Sequence, residues 1–273
     1  MFGEYQQKVK DQAPLIHCIT NYVTVNDVAN AVLAAGASPI MADDDREVED
    51  IQSIASGLDI NIGTLNARTI SSMHKAGKKA MELHHALVLD LVGAGASHLR
   101  TETAMNLLKD LHFDVIRGNV SEIRTLANGT GNTKGVDASA GDSVTEENLD
   151  AMISFVKSFS KDTGSVIAMS GAIDLVSDAH TCYVIRNGRR EMSRITGTGC
   201  QLSALTAAYV ASDHEHPLEA TAAAFVEMGL AGEIGWENMK EEDGNATYRN
   251  RIIDAIYNMT TERMEMGEKY EIR

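Results

Sequence analysis

An α/β fold, with a mainly parallel sheet covered by helices on both faces, is what this sequence predicts, and three observations carry that reading. Short apolar runs alternate with longer stretches of helical period from about residue 25 onward, as repeated βα units require. Only 5% of the residues are aromatic and 3 are proline, whereas alanine, glycine and methionine are plentiful, a mixture that suits packed helices better than a many-turned β sandwich. At 273 residues, 44% of them hydrophobic, the chain can bury a substantial core.

The elements follow in order. Val25 to Ala35 has helical period and stops at Gly36, and a strand is expected near Ser38 to Met41. Glu47 to Ala55 reads as a helix and Leu58 to Ile62 as a strand. Ala67 to Leu83 is amphipathic and leads into the apolar strand Ala86-Leu87-Val88-Leu89, which ends on Asp90. Thr103 to Leu111 is a helix before the strand Phe113 to Ile116, and Glu146 to Phe159 a helix before the buried strand Ser165 to Met169. Ala172 to Ser177 and Thr181 to Arg186, punctuated by Asp178-Ala179 and Asn187-Gly188, read as antiparallel hairpin strands. From Cys200 to about Glu268 the pattern is almost wholly helical. The polar stretch Asn128 to Asp142 is a bridge rather than a linker, so a single domain over residues 1–273 is the economical expectation.

The formal charge of -15 disfavours nucleic acid and anionic membrane surfaces as partners while serving solubility. Three dispersed cysteines, Cys18, Cys182 and Cys200, provide neither a disulfide framework nor a close-paired zinc site. Met1 to Lys10 is polar, and no run of about 18 apolar residues occurs. A cytoplasmic enzyme is the expectation.

In open α/β sheets ligands collect at the carboxyl ends of the strands, so the polar residues that end apolar strands are the candidates. Asp90 ends one strand and precedes the turn Leu91 to Ala96, with glycines at 93 and 95; it is a phosphate- or metal-side carboxylate or a turn residue. Arg117-Gly118-Asn119 ends the next, with Glu122 three residues beyond Asn119. That spacing is a capping box, yet Arg117 adds a guanidinium fork suited to phosphate oxygens, and the three together suggest a polyphosphate and metal neighbourhood. The sharpest signal is Thr196-Gly197-Thr198-Gly199-Cys200 before a run of good helix formers. Its glycines allow positive φ, and the N–H groups of Gly197, Thr198 and Gly199 at a helix start form an anion hole; the alternative is a tight connection. At the helix start Cys200 is a candidate base or nucleophile with its thiolate favoured by the dipole, or a small buried residue. Cys18 and Cys182 read as structural. His17 is either a partner for a nucleophilic cysteine or a satisfied core residue.

Several ordered stretches resemble the hydroxyethylthiazole kinases of thiamine salvage, members of the ribokinase-like fold. They are His17-Cys18-Ile19-Thr20-Asn21-Tyr22-Val23 with Asn26, Ala35 to Ala42, Asn61-Ile62-Gly63-Thr64-Leu65, Asp90 to Ala96, Ile116 to Asn119 with Glu122, Lys134-Gly135-Val136-Asp137, and the Gly197 to Cys200 turn. The resemblance implies a three-layer sandwich and ATP-dependent phosphorylation of the hydroxyl of 4-methyl-5-(2-hydroxyethyl)thiazole. It implies Cys200 as the active-site residue, where most ribokinase-like enzymes carry Asp, and Arg117, Ser170 and Asn119 towards ATP. It implies Met41, Gly197, Asn21, Val23 and Gly63 around the thiazole, and Asp90 and Glu122 around Mg²⁺, partly through water. A homotrimer with its pockets between subunits is implied as well. Leu91 stands where the family usually has proline and Ser170 where it usually has threonine, both on the nucleotide side. Other readings remain: a pyrimidine or pyridoxal kinase or a nucleotide-dependent dehydratase of the same fold, a hydrolase using Cys200 and His17, or a catalytically silent ATP- or thiazole-binding protein.

Overall fold

The structure, a computed structural model, describes residues 2–129 and 143–273; the stretch Lys134 to Asp137 lies outside them. Helix α1 (Phe2–Gln12) leads to β1 (Leu15–Ile19), α2 (Val25–Ala34), β2 (Ser38–Ile40), α3 (Val48–Ile54), β3 (Gly57–Asn61), α4 (Ala67–Leu83) and β4 (Ala86–Asp90). Next come α5 (His98–Asp110), β5 (Val115–Asn119), α6 (Val120–Gly129), α7 (Leu149–Thr163) and β6 (Val166–Ser170). The chain continues through β7 (Asp174–Ser177), β8 (Cys182–Ile185), a 3₁₀ turn (Arg190–Arg194), α8 (Thr198–Ser212), α9 (Pro217–Glu237), α10 (Asn245–Tyr257), α11 (Thr261–Gly267) and β9 (Tyr270–Ile272).

One nine-stranded sheet runs β2-β1-β3-β4-β5-β6-β7-β8-β9. The first six strands are mutually parallel, and β7, β8 and β9 add antiparallel ladders at one edge. The expected hairpin is present as β7 and β8, starting at Asp174 rather than Ala172. Sequence reading missed α1, β1 and β9. Helix α5 also begins five residues before the expected Thr103, because the Ser97 side chain accepts from the Arg100 N–H and caps it.

Strand alternation divides the core into two layers. Ala86 and Val88 of β4 face the cluster containing α1, α2, α8, α9 and α10, while Leu87 and Leu89 face the cluster containing α3 to α7. Helix α8 is apolar on nearly every side because the sheet, α9, α2 and α1 surround it. It lies close on the sheet: a Cβ on Gly57 would sit 3.2 Å from Ala211 Cβ and 3.3 Å from the Ala207 carbonyl.

The topology fixes where a ligand can sit. From β1 the chain crosses to β2 on one side and returns past β1 to β3 on the other, so the carboxyl ends of β1 and β3 flank a topological switch point.

Candidate active site

Alternation along the strands puts Asn61, Asp90, Arg117 and Ser170 on the α8 side of the sheet. Asn61 is in register with Asp90, and Asp90 with Arg117. Helix α8 directs its first turn at this row. Gly197 takes φ 89, a left-handed conformation glycine adopts without strain; a side chain there would also meet Thr24 Cγ2 at 2.5 Å. The first bond into the helix runs from Gln201 N–H to the Gly197 carbonyl at 2.9 Å, which leaves the N–H groups at the helix start without helical acceptors. Gly199 departs from expectation, since it is not among the positive-φ glycines. It is small because Arg117 covers it: a Cβ at 199 would lie 2.6 Å from Arg117 Nη1 and 2.8 Å from Nη2.

Arg117 is buried, donates to Ser170 Oγ at 2.7 Å and reaches Asp90 Oδ1 at 3.4 Å. Its Nε finds no partner among the described residues. Beside it opens a cleft of about 500 Å³ lined by Arg117, Ser170, Asp174, Thr198, Gly199 and Met228, among others. Asp174 was not singled out by sequence reading, having the look of a hairpin residue; its carboxylate accepts from Gly171 N–H at 2.8 Å and so holds the turn after Ser170. Burial pushes its carboxyl up to about 7, opposed by that N–H and by Arg117. A larger groove of about 1060 Å³ between α9, α10 and α11, lined by Arg251, Asp254, Arg263 and Met266 among others, holds none of these residues.

Asp90 is fully buried and accepts from Asn61 Nδ2 at 2.7 Å. Burial pushes its carboxyl up to about 6, with Arg117 pulling down and Glu122 pushing up. Asn119 and Glu122 do form the reciprocal cap: Glu122 N–H donates to Asn119 Oδ1 at 2.9 Å and Asn119 N–H to Glu122 Oε2 at 2.8 Å. The other Glu122 oxygen accepts from Gly93 N–H at 2.7 Å, so one carboxylate joins the strand end to the glycine turn. Among the described residues no group of three or more His, Cys, Asp or Glu is placed to hold a metal ion. The carboxylates of Asp90 and Glu122 are occupied instead by Asn61 and Arg117 and by the N–H groups of Asn119 and Gly93.

Across α8 from the cleft lies the switch point. Asn21 is buried and divides its amide hydrogens between Asn61 Oδ1 at 3.1 Å and Cys200 Sγ at 3.2 Å. Its own oxygen accepts from Val23 N–H and the Thr24 hydroxyl. Asn61 is the hub missed as a site residue: it donates to Asp90 and accepts from Asn21 and from Gly63 N–H at 2.9 Å. Gly63 has no room for a side chain, since a Cβ would lie 2.9 Å from Asn61 Oδ1 and 3.0 Å from Asn21 Cβ. Asn21, Gly63 and Cys200 are thus brought together. Met41, partly buried, follows β2 next to β1 and packs against the core cluster on the α8 side, to which Cys200 also belongs. Val23 is 60% exposed and Tyr22 77%, an apolar pair at the rim.

One expectation about Cys200 needs correction, and one alternative for it falls away. Burial pushes its thiol up, and Asp90 pushes it the same way, against hydrogen bonds from Thr24, Asn61 and Asn21; the thiolate favoured by a helix start is not the resting form. His17 is not its partner either, since the ring bonds Gln52 and the Ala42 carbonyl. The cysteine–histidine hydrolase reading loses its base. Cys18 and Cys182 are buried and free, in keeping with structural roles.

A parallel sheet with an antiparallel edge, a helix start with open N–H groups at its carboxyl edge, and an arginine and a carboxylate on adjacent strand tips are the frame of a ribokinase-like phosphotransferase, the class to which likeness to known proteins assigns the chain. A ribokinase-like superfamily protein from Enterococcus faecalis V583 superimposes with TM-score 0.63 at 13% identity, covering 94% of this chain and 90% of that one, a likeness of fold alone. The hydroxyethylthiazole kinase protein from Pyrococcus horikoshii OT3 superimposes with TM-score 0.89 at 33% identity, covering 100% of this chain and 98% of that one. The hydroxyethylthiazole kinase of Clostridium acetobutylicum is 55% identical over 271 residues, 99% of each chain. With the model of the hydroxyethylthiazole kinase family matching residues 6–262, the chain belongs to that family.

Proposed function

We propose that the protein transfers the γ-phosphoryl group of ATP to the hydroxyl of 4-methyl-5-(2-hydroxyethyl)thiazole, giving the phosphate ester used in thiamine salvage. The observation that carries this reading is the position of the α8 start, with the Arg117 cleft on one side and the Asn21, Asn61 and Cys200 cluster on the other. ATP would enter from the cleft, its triphosphate steadied by Arg117 and Ser170 near Asn119. The N–H groups of Gly197, Thr198 and Gly199 would hold the transferring group, and the thiazole would lie among Met41, Asn21, Val23, Gly63 and Gly197.

Phosphoryl transfer passes through a loose transition state, so alignment and charge stabilisation matter more than proton abstraction. The acceptor oxygen forms its bond to the γ-phosphorus as the bond to the bridging β-γ oxygen breaks, and ADP leaves. A protonated Cys200 fits a role in contacting and aligning the hydroxyl, whose proton is lost as the ester forms. Mg²⁺ beside Asp90 and Glu122 would supply neutralisation of phosphate charge when bound. The exposed Tyr22-Val23 pair next to a buried Asn21 supports a homotrimer whose subunits complete one another's thiazole pockets. No described helix is long and apolar enough to cross a membrane, in keeping with a cytoplasmic enzyme working as a single domain. Incubation of the purified protein with ATP, Mg²⁺ and the thiazole should yield ADP and the phosphomonoester by mass; folded protein giving neither would overturn the proposal.

A further inference from the structure

We propose that His17 is a positioning residue for the acceptor pocket, holding the Ala42 carbonyl and thereby the backbone that presents Met41. The inference rests on reading Met41 as a thiazole contact. His17 lies in the middle of β1, fully buried, on the same face of the sheet as Leu58 and Ile19, beneath α3. Its Nε2 is 2.8 Å from the Ala42 carbonyl oxygen, and its Nδ1 is 3.1 Å from the Gln52 amide at the atom placed as Oε1, which a turn of the amide exchanges with Nε2. That amide reaches on to His85 Nδ1 at 3.1 Å.

Strand β2 ends at Ile40, so the chain from Met41 to Glu47 has no ladder to hold it. Its other anchors face outward onto α4: Ser72 Oγ donates to the Asp43 carbonyl at 2.8 Å and Lys75 Nζ to that of Asp45 at 3.0 Å. The bond from His17 comes from the sheet itself, at Ala42, next to Met41, which packs against the core cluster on the α8 side. The Met41–Ala42 backbone is thus gripped between the two layers of the fold.

The partners also fix the proton. A carbonyl only accepts, so Nε2 must carry hydrogen. Burial lowers the basicity of the ring, so the neutral form has a bare Nδ1 that needs a donor. Gln52 supplies one when its NH₂ faces His17, and its oxygen then takes the Nδ1–H of His85. Amide oxygen and nitrogen are interchangeable in shape, so this orientation costs no repacking. A bond-by-bond satisfied chain, His85 to Gln52 to His17 to Ala42, rigidifies a buried segment that would otherwise hold unpaired polar groups.

The test compares KM for the thiazole, KM for ATP and kcat in H17F, which keeps a ring but loses the donor, and in Q52M, which keeps the Ala42 bond but frees Nδ1. H17F should raise the thiazole KM about tenfold or more while the ATP KM changes less than about twofold, and Q52M should give a smaller rise of the same selectivity. Unchanged thiazole KM in folded H17F, or equal rises for both substrates, overturns the proposal. Should H17F fail to fold, Q52M decides on the same criteria. Long-range ¹H–¹⁵N spectra of the wild-type protein should place the His17 proton on Nε2, and a proton on Nδ1 alone would overturn the assignment. M41A tests the underlying reading separately: an unchanged thiazole KM there removes Met41 from the pocket whatever H17F does.

Discussion

Replacing Gly199 with alanine isolates the contact between the helix start and the phosphate-side arginine. The backbone at 199 is outside the left-handed region, so alanine brings no conformational strain, and in a helix it is favoured over glycine by about 1 kcal/mol. What opposes it is the guanidinium, with Nη1, Nη2 and Cζ at 2.6, 2.8 and 3.1 Å from the added carbon. A normal carbon–nitrogen contact needs about 3.5 Å, so Arg117 must withdraw by most of an ångström. Arg117 is held by a bond of 2.7 Å to Ser170 and one already stretched to 3.4 Å at Asp90, and neither survives that displacement. Losing one charge-assisted hydrogen bond costs about 1.5–3 kcal/mol, which at 1.4 kcal/mol per decade is roughly a 10- to 150-fold fall in kcat/KM for ATP. The melting temperature should fall too, though the propensity gain of about 1 kcal/mol offsets part of the loss. Steady-state kinetics with varied ATP, beside thermal melts, provide the assay. G199A with an ATP kcat/KM within twofold of wild type would refute the argument that Arg117 needs this space.

Three further outcomes follow from the buried groups. C200A should lower kcat by no more than about tenfold, and C200D should retain activity, because a thiol raised by burial and by Asp90 contributes alignment more than proton abstraction; a loss beyond a hundredfold in C200A would restore Cys200 as a base. Because burial pushes the Asp90 carboxyl up to about 6 and the proposed transfer uses it as the anion, kcat/KM should fall below about pH 6, and a profile flat from pH 5 to 8 would contradict this. Glu227 is buried against the Tyr209 hydroxyl at 3.0 Å, and burial pushes its carboxyl up from 4.5 to about 7. The unfolded chain releases this proton first, so stability is lost as pH rises through that interval, by roughly 3 kcal/mol in all. E227Q should abolish that part of the slope in denaturant titrations between pH 5 and 8, and an unaltered slope would exclude Glu227 as its source.

Much of the site was legible because strands β4, β5 and β6 are apolar runs that stop at Asp90, Arg117 and near Ser170, and because glycines mark the α8 start so plainly. Asn61 was not, since an asparagine at a strand end has many uses, and only the register with Asp90 and the crossing of Asn21 turn it into a hub. Strand β1 went unread because His17 and Cys18 interrupt its apolar run, although their neighbours satisfy both. Helix α1 was obscured by a polar sequence in which Gln6, buried and bonded to the Met259 carbonyl at 3.2 Å, gives no apolar signal. The thiolate assigned to Cys200 failed for a related reason. A helix start can be read from sequence, but burial beside a carboxylate depends on the fold.

The close seating of α8 on Gly57 makes that helix a ruler laid across the sheet. Its 15 residues extend roughly 22 Å, with alanines resting on the strand backbone at one end and the open N–H groups of its first turn at the other. A methylene added at Ala207, which is fully buried, crowds the face that seats the helix on the sheet. Small side chains at one end of the rod therefore set the height at which its other end meets the strand tips.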